Sequence, residues 1–248
     1  MKIKILIVLI FICALSAVSY SQTMEVTTKN ITDTDKEKGY SIKIDYPQVD
    51  FGPDALMGVR GIAGDINSSL DSIIKNIIVE FKNSVSEVPE IKDLDTESEL
   101  AINGIGWVNN NMLLCTQLIN FTYIKGTAHP MTTSTTFNYS TSGEGPLSFS
   151  SLFKKDIDYL NYITTICIKD LSLRLNDKDE DNTDMILDGA SADEKNFTNW
   201  SVKDDTLTII FNPYQVAPYV YGMQDVGIPL SELMTYLDPE GPLSYMFR

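Results

Sequence analysis

The chain has 248 residues, with 34 acidic side chains against 19 Lys and Arg, a net charge of -15 and a single histidine. A surface this acidic repels phosphate backbones and anionic lipid, which argues against nucleic acid as a partner; it would attract a basic protein or a cation, although such acidity more often serves plain solubility. One histidine also removes every two-histidine zinc centre and the HExxH arrangement.

Lys2 and Lys4 precede an uncharged run from Ile5 to Tyr20, and small polar residues follow around Ser19 and Ser21. These are the charged, apolar and cleavage regions of a signal peptide, so residues 1–21 read as an export signal and the remainder as secreted or periplasmic. An uncleaved anchor is the competing reading, because the stretch extended to Met24 reaches the roughly 20 residues that a bilayer needs. Cys13 follows Phe11 and Ile12, which does not suit lipid attachment. No later window approaches a spanning length, so no membrane contact is expected after cleavage.

From Tyr40 to Tyr46, Tyr40, Ile42, Ile44 and Tyr46 alternate with Ser41, Lys43 and Asp45, the period of a half-buried strand. Ile62, Ile66, Leu70, Ile73, Ile77 and Phe81 then recur in steps of three and four, which predicts an amphipathic helix starting near Gly61. The charged stretch from Val85 to Glu97, with Pro89, reads as a linker. Strands follow at Glu99 to Trp107, Leu113 to Ile124 and Met131 to Tyr139, the first two joined by a turn at Asn109 to Asn111. A second helix carries Leu160, Ile163, Cys167, Leu171 and Leu175 on its stripe. Beyond an acidic loop, strands are predicted at Trp200 to Val202 and Thr206 to Phe211, and a short helix at Ser231 to Leu237. This order gives an α+β fold, antiparallel sheets packed by two main amphipathic helices, in two successive sub-domains at 22–95 and 96–248.

Phe121, Tyr123, Gly126, Ala128, His129 and Pro130, followed by Phe137, Asn138 and Tyr139, resemble the RsiV-like C-terminal domain. The step from Leu147 to Phe153 and the block from Phe211 to Gly222 (FNPYQVAPYVYG), with Ile228 and Pro229, resemble that family's helix entry and its closing strand and loop. Upstream, residues 22–95 are similar to the PdaC/RsiV-type N-terminal domain. The resemblance implies an external binding module. In the anti-sigma factor that names the family, the external domain binds lysozyme, and other members are secreted antigens. Four residues precede the apolar run, so no anti-sigma role is expected, and neither is the deacetylase activity of the domain that accompanies the N-terminal region elsewhere. A secreted non-enzymatic binder of a basic extracellular protein, such as a lysozyme-like hydrolase, is the expectation. A hydrolase acting on cell wall or other polysaccharide, and a secreted protein without a ligand, are the alternatives.

The side chains themselves carry no reaction signature and imply no cofactor. His129 could serve a Ser-His-Asp triad, but GxSxG is missing, and a hydrogen bond within a strand connection is the plainer role. Gly104-Ile105-Gly106 is too short for a phosphate loop. Asp177, Asp179 and Asp181 partly match the alternate carboxylates of a calcium loop, whose Gly and Glu positions hold Asn182 and Asp188; a solvated acidic loop is the other reading. Tyr123, His129, Tyr214, Tyr219 and Tyr221 are the ligand-binding candidates, because Tyr offers a large contact with a polar tip, although such rings also close cores. Cys115 and Cys167 either bridge or lie as separate buried thiols. Asn-x-Ser/Thr sites stand at Asn30, Asn67, Asn120, Asn138, Asn196 and Asn199.

Overall fold

The computed structural model describes residues 23–53, 55–89, 96–141, 145–176 and 181–248. The signal-peptide reading of residues 1–21 and the candidates Asp177 and Asp179 lie outside the described residues. Among the described residues, no helix is long and apolar enough to cross a membrane.

A hairpin opens the chain, β1 (Glu25–Asp35) with β2 (Tyr40–Asp50), and leads into α1 (Met57–Glu87). Three long strands follow, β3 (Ser98–Asn109), β4 (Leu113–Tyr123) and β5 (Met131–Ser140), with a two-residue β6 (Gly145–Pro146). After α2 (Tyr159–Leu175) and α3 (Thr183–Gly189) come β7 (Trp200–Lys203), β8 (Thr206–Phe211), β9 (Gln224–Pro229) and α4 (Leu230–Leu233). The strands form one sheet in the order β1 to β6 and a second in the order β7-β8-β9.

The α+β class is as the sequence predicts, with one difference in pairing. All neighbours are antiparallel except β2 and β3, which run parallel from Tyr40↔Ser98 to Asp45↔Asn103. The cause is α1: a parallel neighbour needs a crossover connection, and this 31-residue helix supplies it. Two tight turns follow from local chemistry. Asn110 and Asn111, and again Asp204 and Asp205, have positive φ of 47–58°, the left-handed pair that a two-residue hairpin turn requires and that Asn and Asp tolerate.

The six-stranded sheet separates two cores. One face meets α1, where Ile66, Leu70, Ile74 and Phe81 pack with Leu100, Ile102, Leu114, Leu118, Phe137 and Tyr139. The other face, through Leu113 and Cys115, meets α2 and the second sheet, with Ile163, Cys167, Leu171, Trp200, Leu207 and Phe211. The boundary expected at 95/96 falls between β2 and β3, neighbours in one sheet, and the strands after it supply six of the seventeen buried residues of the α1 core. Of the two readings for Cys115 and Cys167, the structure has the separate one: both are free, buried thiols. Burial pushes each up to about 12, which leaves the nucleophilic thiolate scarce.

Candidate functional site

Edge strand β7 lies across the face of the first sheet, and side chains from three of that sheet's strands satisfy its outer backbone groups. Trp107 Nε1 and Asn109 Nδ2 donate to the Val202 carbonyl at 2.6 and 2.8 Å. The Val202 N–H donates to Cys115 Sγ at 3.4 Å. Two residues back along the strand, Asn138 Nδ2 donates to the Trp200 carbonyl at 2.8 Å, and the Trp200 N–H donates to Thr136 Oγ1 at 3.0 Å. An unpaired strand edge is thereby closed without a further strand.

Alternation along β7 and β8 sends Trp200, Val202, Leu207 and Ile209 into the α2 core, and Ser201, Lys203, Thr208 and Ile210 to the opposite side. There the outward face of the second sheet and the face of β3 and β4 enclose a cleft of about 400 Å³, floored by Ile105, Trp107 and Gln117 and closed by Met223, Gln224 and Asp225. Lys203 Nζ stands 5.6 Å from the centroid of the Trp107 ring.

The loop from Asn212 to Gly222 is fastened on both sides of Tyr214. Asn212 clasps Ser134 of β5, accepting from its N–H at 2.7 Å and donating to its carbonyl at 3.1 Å. Gln215 Nε2 donates to the carbonyls of Gly189 and Asn196 at 3.1 and 3.0 Å. A Cβ on Gly189 would sit 1.8 Å from the Gln215 oxygen, so only glycine allows this approach. Between these anchors Tyr214 is held at φ 69° with its side chain outward, 51% exposed. A tyrosine in the left-handed region costs about 1 kcal/mol.

Three of the five predicted ligand-binding residues meet. The ring of His129 stacks on that of Tyr219 with centroids 4.0 Å apart, and Tyr214 continues the ladder at 5.9 Å from Tyr219. Tyr219 Oη donates to the Pro130 carbonyl at 2.7 Å, tying the loop to the β4–β5 connection. His129 itself is exposed, with Nδ1 3.0 Å from the Pro130 oxygen, and borders an apolar pocket of about 290 Å³ with Ile124, Ala128 and Met131. The other two candidates go elsewhere. Tyr123 stands on β4 opposite Glu99, and Tyr221 packs half-buried against the α2 core.

Asp181, the described member of the calcium set, turns its carboxylate to the Thr183 N–H at 2.9 Å at the start of α3. The Thr183 hydroxyl and amide hold it below the usual carboxylate value. Among the described residues, no three His, Cys, Asp or Glu side chains converge on one point. Sequence reasoning missed the cleft and the side chains that cap β7. Their only local signal is the alternation of β3, because Ile105 and Trp107 meet Lys203 and Asp225 through pairings some hundred residues apart.

The second sheet, its two preceding helices and the aromatic loop fall in one stretch, residues 150–231, which match the family model described as a protein of unknown function (DUF3298). The chain carries a DUF3298 domain. Its floor strands β3 and β4, and His129, lie upstream of the matched segment. The chain is 29% identical over 177 residues to the peptidoglycan-N-acetylmuramic acid deacetylase PdaC of Bacillus subtilis, covering 69% of this chain and 37% of PdaC. It is 28% identical over 112 residues to the immunogenic protein MPT64 of Mycobacterium tuberculosis, covering 45% of this chain and 47% of that protein. The chain thus spans less than half the length of these relatives. Crystal structures of DUF3298 proteins from Bacteroides fragilis and Pseudomonas aeruginosa share the fold, with TM-scores of 0.62 and 0.58 at 15% and 12% identity. They cover 90% and 88% of this chain, and 96% and 95% of their own, so the shared fold extends upstream of the DUF3298 segment over the α1 core as well.

Proposed function

We propose that this protein acts outside the cytoplasm as a binding module that engages a basic protein of the lysozyme type through the Tyr214–Tyr219–His129 ladder. One observation carries the reading: Tyr214 is kept in a strained backbone conformation by a loop anchored at Asn212 and Gln215, and the result is an exposed, stacked aromatic surface. Strain retained at a surface residue motivates a role for that residue. Rigid aromatic rings are favoured contact anchors, and a net charge of -15 steers a basic partner toward the molecule.

Titration of the purified protein with lysozyme tests this. Binding at low salt that weakens roughly tenfold or more at high salt is expected, because exposed charges are screened. Tyr214→Asn tolerates the left-handed conformation, so it should leave stability unchanged or raise it by up to about 1 kcal/mol while weakening binding. Absence of binding at low salt would sink the reading, as would full affinity in Tyr214→Asn.

The similarity to a deacetylase of peptidoglycan supports a second reading, in which the stacked rings take a sugar face of the cell-wall glycan. Co-sedimentation with insoluble peptidoglycan separates the two. Retention on the glycan, lost in Tyr219→Ala and without lysozyme binding, would move the ladder to the carbohydrate.

A further inference from the structure

The cleft between the two sheets is separate from the ladder, and its corners are charged in a particular way. Lys203 has no carboxylate within ion-pair distance among the described residues, although the chain holds 34 acids, and its ammonium is placed only against the Trp107 ring. Asp225, on the opposite lip, has no cation at its carboxylate among the described residues; Arg174 reaches only its backbone oxygen, at 2.8 Å.

Strand register fixes how far apart these charges stand. Lys203 is level with Thr206 of β8, and Asp225 is level with Ile210. Four residues of strand separate them lengthwise and two strand spacings sideways, so their backbones stand about 16 Å apart across β8. With the Lys203 and Asp225 side chains spanning part of that distance, an extended chain of roughly four residues covers the rest. Between the corners, Gln117, Ser201 and Thr208 offer amide and hydroxyl partners, while Ile105, Ile210 and Met223 supply apolar contact.

We propose that this cleft binds a short extended peptide of about four residues, with a free carboxylate against Lys203 and an ammonium against Asp225. Polar side chains in the middle hydrogen-bond its backbone, and the apolar ones take its alternate side chains. Lys203 pairs as a point charge and Asp225 as its opposite, so a ligand lacking either end loses one pairing and leaves its partner unmatched.

Tryptophan emission reports on the site, since Trp107 is half-buried at the cleft and the other tryptophan, Trp200, is 2% exposed in the core. The probes are a free tetrapeptide of alternating alanine and leucine and the same peptide acetylated and amidated. The free peptide should shift the emission and release heat in calorimetry, and the capped one should bind at least tenfold more weakly. Lys203→Gln and Asp225→Asn are surface changes and should each bring the free peptide down toward the capped affinity with the denaturation midpoint unmoved. No signal from the free peptide at millimolar concentration would overturn the proposal, and so would equal affinity for free and capped peptides.

Discussion

At the residue scale, single side chains tie elements together, and Asp71 is the clearest. From α1 its carboxylate accepts from Lys29 of β1 at 2.9 and 3.0 Å, from Tyr46 Oη at 2.7 Å and from Gln48 Nε2 at 3.1 Å. Burial works against its ionised form, but the bonds from Tyr46, Lys29 and Gln48 outweigh it and lower its pKa below 3.8. A lowered folded-state value means that the stabilisation is complete above 3.8, the unfolded value, and is lost as pH falls through the folded one. Asp71→Asn should therefore cost about 1 kcal/mol near neutral pH, a small figure because Lys29 and Asp71 are each nearly half exposed (46% and 44%). In acid the two chains should converge, which urea denaturation at a series of pH values checks. A cost that persists unchanged in acid would refute the assignment. The candidate site was legible at this scale only in part. His129, Tyr214 and Tyr219 stood out because they are large and lie in two Pro- and Gly-punctuated loops. Whether a tyrosine in such a loop faces water or core is decided by the loop's anchors, and the side chains of Asn212 and Gln215 that set the difference between Tyr214 and Tyr221 carry no such mark in the sequence.

At the scale of elements, β7 is the strand whose existence depends most on its neighbours. It has four residues, and its outer edge is satisfied by side chains alone. Two substitutions distinguish the contributions. Asn138→Ala leaves the buried Trp200 carbonyl without its donor and should cost about 1–2 kcal/mol in urea denaturation, the upper range being offset because Asn138 Oδ1 is itself unpartnered among the described residues. Asn109→Ala should cost less than about 1 kcal/mol, since Trp107 still serves Val202. Equal costs would show that the two carbonyls are not capped as described. The same placement bears on the Asn-x-Ser/Thr sites: Asn120 and Asn138 are buried, the side chains of Asn67, Asn196 and Asn199 hold backbone groups, and Asn30 is exposed with its amide donating to Asp45 Oδ1 at 2.6 Å. The long elements were visible in advance because burial on one side forces a period of two or of about 3.6. What escaped is α3, whose seven residues leave a helical period little room, and β9, whose alternation rests on Val226 and Ile228 alone beside Gly227 and Pro229. The helix predicted over Ser231 to Leu237 contracts to Leu230–Leu233, as Leu237 instead lies antiparallel to Phe153 in an isolated bridge.

At the scale of the whole molecule, the boundary expected between two sub-domains falls inside one sheet, and its appearance as a boundary has a physical reason. The charged, Pro-containing stretch before β3 has the composition of a linker, and nothing local announces that β3 will pair in parallel with a strand some sixty residues earlier. Because of that pairing, the 96–248 segment should not fold alone. Without β1, β2 and α1 it exposes Leu100, Ile102, Leu114, Leu118, Phe137 and Tyr139, each at most 9% accessible in the intact chain. At about 1.5–3 kcal/mol per buried side chain, the loss is on the order of 10 kcal/mol, comparable with the whole stability of a typical domain. It also uncovers β3 from Ser98 to Asn103 as a new edge, a template for aggregation. Expressed by itself, the segment should be insoluble or bind a hydrophobic dye without a cooperative thermal transition, whereas co-expression with residues 22–95 should restore one. A soluble 96–248 fragment with a sharp transition would mean that the α2 core and the second sheet suffice on their own, and that the parallel pairing of β2 with β3 adds an arm to a self-sufficient domain.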